Sequence, residues 1–204
     1  MIPTKPLVEP VSNAVHLCID MQNIFARGAI WETPWMERVL PAIAGICDRY
    51  TTRTVFTRFI TPVRPEDRPG RWRRYFTKWE CATRSRLPAG QLDLVPALAR
   101  FAPPAVVIDK PGYSAFVASP LAAFLDEKGI DTVVVTGAET DVCVLASVLD
   151  AVDLGFRIII VEDALCSSSD AGHDALMTMY RNRFAEQIEL VRAEELTELW
   201  REAA

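Results

Sequence analysis

Six short apolar runs rich in β-branched residues limit the folds open to this chain more than any other feature. They are Ala14 to Ile19, Thr54 to Phe59, Ala105 to Ile108, Thr132 to Thr136, Arg157 to Val161 and Ile188 to Val191. Most are continuously hydrophobic rather than alternating, so a strand made from each would be covered on both faces, as in a parallel sheet flanked by helices. Helical patterns separate them, at about Thr33 to Tyr50, Leu92 to Phe101, Pro120 to Lys128, Asp141 to Leu154, Ala171 to Arg183 and Glu194 to Arg201. Gly129 and Gly155 mark helix ends, and Ser167-Ser168-Ser169-Asp170 offers N-caps. This alternation predicts an α/β fold: a doubly wound, mostly parallel six-stranded sheet with helices on both faces. With 204 residues, half of them hydrophobic, a single domain over 1–204 is expected.

Five cysteines at irregular spacings, with no CxxC pair, argue against a disulfide framework and a structural zinc site, leaving free thiols. The opening stretch Met1 to Pro10 lacks the apolar core of a secretory leader, and no run approaches the ~18 apolar residues of a membrane span. A cytoplasmic protein without membrane association is expected. The net charge of −5 provides no general attraction to nucleic acid. Only Arg64 to Arg86 departs from this balance, with eight basic residues against three acidic ones, +5 locally against −10 for the remainder. Arginines there interleave with Trp72, Tyr75, Phe76 and Trp79, a composition compatible with nucleic-acid binding. The acidic remainder and the segment's position after a strand favour an active-site wall or a subunit contact instead. A small-molecule substrate, and no nucleic acid, is the expected partner.

In an open α/β sheet, ligands bind beyond the carboxyl ends of the strands, so polar residues that end apolar runs are the informative ones. The first run ends in Asp20, the second in Arg58-Phe59, the third in Asp109-Lys110 and the fourth in the turn Thr136 to Cys143. Cys143 is expected at a helix N-terminus, where unpaired N–H groups and the helix dipole lower a thiol pKa. Asp20 would accept its proton, and Lys110 would keep Asp20 ionised and stabilise the thiolate. A Cys-His pair has little to draw on. His16 lies four residues before Asp20 in one strand, ~13 Å away at about 3.3 Å per residue, and reads as core. His173 follows the serine cluster, where a surface or packing role is expected. Cys18 and Cys47 read as packing residues, while Cys81 and Cys166 have no evident role.

Three ordered motifs, Ile19-Asp20-Met21-Gln22-Asn23, Asp109-Lys110-Pro111-Gly112-Tyr113-Ser114-Ala115-Phe116 and Val135-Thr136-Gly137-Ala138-Glu139-Thr140-Asp141-Val142-Cys143, make nearly the whole chain resemble the isochorismatase-like cysteine hydrolases, which include nicotinamidases and N-carbamoylsarcosine amidases. The resemblance implies an Asp20-Lys110-Cys143 triad, a cis peptide between Ala138 and Glu139, and an oxyanion hole from the backbone N–H groups of Glu139 and Cys143. It also implies a homodimer or homotetramer. Metal-binding nicotinamidases carry Asp-Trp-His after the second strand, with another histidine close behind. This chain has Phe59 and Thr61 at the ligand positions, so neither a metal nor another cofactor is expected, and nicotinamide is disfavoured as substrate. True isochorismatases cleave a vinyl ether by acid chemistry and lack the cysteine.

Together these features predict a cysteine amidohydrolase that cleaves a C–N bond of a small amide or carbamoyl compound through a thioester on Cys143. The alternatives are a vinyl ether hydrolase using Asp20 as acid, or a catalytically silent scaffold or regulatory protein. Phe25, Trp31, Phe59, Trp72, Trp79, Tyr113 and Phe116 are candidates for an apolar pocket, and Arg58 or an arginine of Arg64 to Arg86 could hold a substrate carboxylate.

Overall fold

Valine and isoleucine dominate the runs that become strands, because a branched Cβ packs well on a pleated surface and loses χ1 freedom in a helix. The structure, a computed structural model, describes residues 10–200. Residues 1–9, on which the expectation of no secretory leader rests, and the last position of the final helical pattern lie outside the described residues. Six strands, β1 Ala14–Ile19, β2 Thr54–Phe59, β3 Val106–Lys110, β4 Thr132–Ala138, β5 Arg157–Cys166 and β6 Ile188–Val191, form one sheet in the order β3-β2-β1-β4-β5-β6. Every pairing is parallel. The expected mostly parallel sheet is thus parallel throughout.

Two cores lie on opposite faces, as continuous hydrophobicity requires. Ala14, Cys18, Val134, Ile159 and Val161 pack with α1 (Met36–Arg49) and with Leu98 of the short α3 (Pro96–Ala99). Val15, Leu17, Val133, Val135, Ile158 and Ile160 pack on the other side. There they meet α4 (Leu121–Glu127), α5 (Leu145–Asp153) and α6 (Asp170–Arg183). The last helix, α7 (Ala193–Leu199), is followed by Trp200, whose ring stacks on Tyr50 at 4.0 Å. No helix among the described residues is long and apolar enough to cross a membrane.

Three elements differ from the sequence reading. The strand β5 runs five residues past Val161, although Glu162 and Asp163 interrupt its apolar pattern; Arg181 and Arg192 take up these carboxylates from neighbouring elements. The pattern from Leu92 yields helix only over Pro96–Ala99, because Leu94 is extended and bridges to Gln22. The basic segment contains an unanticipated helix, α2 (Gly70–Lys78). Its interleaved composition resolves into two sides: Trp72, Tyr75 and Phe76 pack inward at helical spacing, while Arg71, Arg73 and Arg74 are exposed.

His16 occupies the core as expected, fully buried, with Nδ1 3.2 Å from Thr54 Oγ1 and Nε2 2.8 Å from Thr136 Oγ1. Burial lowers its pKa to about 3. In the unfolded chain His16 binds a proton near its ordinary 6.5, while in the fold it stays neutral until about 3. The unfolded state therefore holds more protons in that interval, and stability falls as pH falls through it. Urea unfolding between pH 6.5 and 5 should show a loss of up to about 1.4 kcal/mol per pH unit from this residue. His16→Gln should flatten that slope, and a slope unchanged by the substitution would refute the assignment.

Candidate active site

The order of strands reverses between β1 and β4, and the crevice beyond their carboxyl ends is where an open α/β sheet binds ligands. Asp20 leaves β1 there with φ +50°, a left-handed conformation that non-glycine residues seldom adopt. It is wholly buried. The Thr57 hydroxyl donates to Asp20 Oδ1 at 2.7 Å and accepts from the Asp20 amide at 3.2 Å. Gln22 then braces the exit. Its carbonyl oxygen accepts from Phe59 N at 2.7 Å, and its amide donates to Phe59 O at 3.2 Å and Leu92 O at 2.7 Å.

Lys110 is the last residue of β3, two strands from β1, about 10 Å away at 4.8 Å per strand. Its aliphatic stem bridges this gap, with Nζ 5.3 Å from the Phe59 ring centroid, and reaches Asp20 Oδ2 at 2.6 Å. Nζ also donates to Gly112 O at 2.9 Å and Tyr113 O at 2.8 Å, which fix its position at the exit of β3. Burial works to lower the Lys110 pKa, but Asp20 and Cys143 outweigh it and the net direction is upward, so the group is a permanent cation.

Cys143 follows β4 through a tightly specified turn. Gly137 has φ +110°, and a Cβ there would lie 2.1 Å from Ile19 O, so only glycine lets β4 approach β1 beside Asp20. The Ala138–Glu139 peptide is cis. The expected regular helix beginning at Asp141 is instead a wide π-type turn, Thr140–Val144, leading into α5. The Glu139 carbonyl accepts from Val142 N and Val144 N at 3.1 Å each, inside that turn. Ser147 Oγ donates to Cys143 O at 2.7 Å and accepts from Ala115 N at 2.9 Å, tying the cysteine to the loop that holds Lys110. Thr140 Oγ1 meets His173 Nδ1 at 2.8 Å, so His173 supports the turn from α6. Glu139 is anchored by Ser168 N at 3.0 Å and by the Ser168 hydroxyl.

The expected low thiol pKa is corrected. Burial, then the Asp20 carboxylate, raise the Cys143 thiol well above its ordinary value, and Lys110 only partly opposes them. A wide turn in a buried site supplies less to a thiolate than the fields of its neighbours. Cys143 therefore rests as a thiol beside the Asp20 carboxyl group. Asp20→Asn removes the opposing negative charge, so iodoacetamide labelling of Cys143, followed by peptide mass spectrometry, should begin at lower pH in that variant than in the wild type. A shift to higher pH would overturn this order of influences.

Aromatic rings surround the Lys110 side. Trp31 lies 5.9 Å from Phe25, 6.0 Å from Phe59, 6.2 Å from Tyr75 and 6.0 Å from Trp79 between ring centroids. Trp72 lies 4.8 Å from Tyr113 and 6.2 Å from Phe59. Six of the seven aromatic candidates thus join one cluster. Phe116 does not: it packs on Phe156 at 6.0 Å, in the core of the opposite sheet face. Arg58 is also corrected, since its guanidinium is bound at 2.7 and 3.0 Å to Asp109 and at 3.1 Å to Asp93, leaving it no call for a substrate carboxylate. Alternation along β2 separates it from Phe59, which faces the cluster.

Tyr75, which the sequence does not single out for the pocket, joins the cluster because residues 70–78 are helical. Burial raises the pKa of the Tyr75 and Tyr113 phenols, and both also feel the charges of Cys143 and Glu139. The signal available in the sequence was the 72, 75, 76, 79 spacing of the aromatics, a helical stripe. Cys166 is buried at the end of β5, where its carbonyl accepts from Thr140 Oγ1 at 3.2 Å, and burial pushes its thiol up to about 12. Cys81 is exposed. Among the described residues, no group of three or more His, Cys, Asp and Glu side chains is gathered as a metal cluster.

The family model described as Isochorismatase domain matches residues 14–190. Maleamate amidohydrolase of Pseudomonas putida is 42% identical over 70 residues, which is 34% of this chain and 33% of that protein. A probable inactive nicotinamidase of Arabidopsis thaliana is 26% identical over 182 residues, covering 86% of this chain and 92% of its own length. Among solved structures, a cysteine hydrolase from Pseudomonas syringae pv. phaseolicola 1448A superposes with a TM-score of 0.79 at 22% identity, over 95% of this chain and 96% of that one.

Proposed function

Because the chain belongs to the isochorismatase family of hydrolases, which has amide-cleaving members, we propose that it is a cysteine amidohydrolase acting on a small amide or carbamoyl compound. The observation that carries this reading is the buried Asp20–Lys110 ion pair at 2.6 Å, whose two charges both act on Cys143. Asp20 takes the Cys143 proton as the thiol attacks the carbonyl, so thiolate forms only as the new C–S bond does. Lys110 stabilises that charge, which burial would otherwise oppose.

The tetrahedral oxyanion rests on the Glu139 and Cys143 amides; such donors are typically worth about 3 to 4 kcal/mol each in a transition state. Asp20 then returns the proton to the departing nitrogen, and ammonia or an amine leaves an acyl thioester on Cys143. Water gives a proton to Asp20, attacks the thioester and releases the acid and the free thiol. The aromatic cluster excludes solvent from the thioester and offers flat apolar faces to the acyl group.

The test is ammonia release across a panel of small amides, carbamoyl compounds and hydrazides, with intact-mass detection of an acyl adduct on Cys143. Turnover of a panel member together with the adduct is expected. Undiminished hydrolysis in Cys143→Ala would sink the reading and favour acid chemistry on Asp20.

A further inference from the structure

A pocket of about 490 Å³ lies beside the exits of β2 and β3, lined by Thr61, Arg68, Arg84 and Lys110 among others. The charges facing it divide into two groups. Asp67 is taken by the backbone and guanidinium of Arg64, at 2.9 and 3.3 Å; Asp109 is taken by Arg58, and Lys110 by Asp20. Arg68 and Arg84 have no hydrogen bond or ion pair from their guanidinium groups among the described residues. Arg68 lies over the Trp72 ring at 5.0 Å, and its buried Nε has no acceptor. Thr61, 1% exposed, has a buried hydroxyl without a partner.

Native proteins rarely leave buried donors without acceptors, because each forfeits the hydrogen bonds it had in water. Here Arg68 Nε and the Thr61 hydroxyl share that condition in a single pocket, and the exposed guanidinium of Arg84 lines the same pocket. Planar guanidinium donors match the oxygens of a carboxylate or phosphate, and burial of Arg68 strengthens its attraction for such a group. We infer that this pocket binds a small oxyanion, a carboxylate or phosphate, through Arg68, Arg84 and the Thr61 hydroxyl.

Two sources share this chemistry: a free anion, or the far end of the molecule cleaved at Cys143. The second follows from adjacency: Lys110 borders both sites, and the Trp72 ring under Arg68 also packs near Tyr113 and Phe59. Only this second assignment rests on the proposed amidase activity.

Isothermal titration of the full chain with sodium succinate and with inorganic phosphate, against sodium chloride at matched ionic strength, tests the pocket without catalysis. Saturable binding is expected, weakened about tenfold or more in Arg84→Gln and in Arg68→Gln, each checked for folding by circular dichroism. No saturable heat beyond the chloride control, or wild-type binding in both folded variants, would overturn the site. Comparing succinamate with butyramide then identifies the source. A tenfold fall in the kcat/KM ratio of succinamate to butyramide in Arg84→Gln, carried by KM, assigns the pocket to the substrate, and an unchanged ratio with anion binding lost assigns it to a free anion. Anion binding with no amide cleaved would leave the pocket standing while the amidase reading fails.

Discussion

Cys143→Ala should lower the rate of the proposed amide cleavage by about 10⁴-fold or more while the protein remains folded. The substitution removes one buried sulfur and leaves the turn in place, since Ser147 and Glu139 hold it through the backbone of residues 142–144 and not through the thiol. The residual rate would reflect binding and oxyanion contacts alone. Steady-state ammonia release by the variant, with thermal unfolding alongside, separates chemistry from folding. Activity within tenfold of wild type in a folded Cys143→Ala protein contradicts covalent catalysis. Asp20→Asn should reduce the rate by about 10² to 10⁴-fold, the usual range for losing a general base. In that variant the thiol should ionise more readily and yet turn over less, a combination that a merely structural aspartate would not produce.

The second large effect is on stability. Lys110→Met leaves the Asp20 carboxyl group wholly buried without its cation, with the Thr57 hydroxyl as its remaining support, at a cost of about 3 to 5 kcal/mol. That is a large part of the 5 to 15 kcal/mol that holds a domain of ordinary stability together. Asp20→Asn should cost less, because Lys110 keeps the carbonyls of Gly112 and Tyr113 as partners. The double variant removes both buried charges, so its loss should fall short of the sum of the singles by at least about 1 kcal/mol. Urea denaturation of the four proteins measures the difference. Strict additivity would mean that the 2.6 Å ion pair contributes no coupling, and the role given to Lys110 would lose its basis.

Much of this arrangement is legible in the chain before it folds. The strand runs coincide closely with β1, β2, β4 and β6, because a strand covered on both faces needs an unbroken apolar sequence and the requirement is local. The polar residues that stop those runs, Asp20, Lys110 and Gly137 to Cys143, mark the sheet edge for the same reason. Phe116 and Arg58 show where this logic stops. Each stands near a strand end, but the face a residue takes depends on alternation and on neighbours distant in sequence, Phe156 for one and Asp93 for the other. The helix α2 was hidden by its arginines, which mask a short aromatic stripe when composition is averaged over the segment.

The sequence by itself determined the parallel sheet, the positions of its exits and the identity of the three groups that meet there, since each follows from residue type and spacing along a few neighbours. Tertiary structure alone decided that Lys110 passes Phe59 to reach Asp20 from two strands away, that Tyr75 joins the aromatic cluster, and that Cys143 rests as a thiol. Those outcomes depend on strand order and on burial. Both are properties of chain segments brought together across more than a hundred residues, and the charge state of a buried group is set by the neighbours it acquires there.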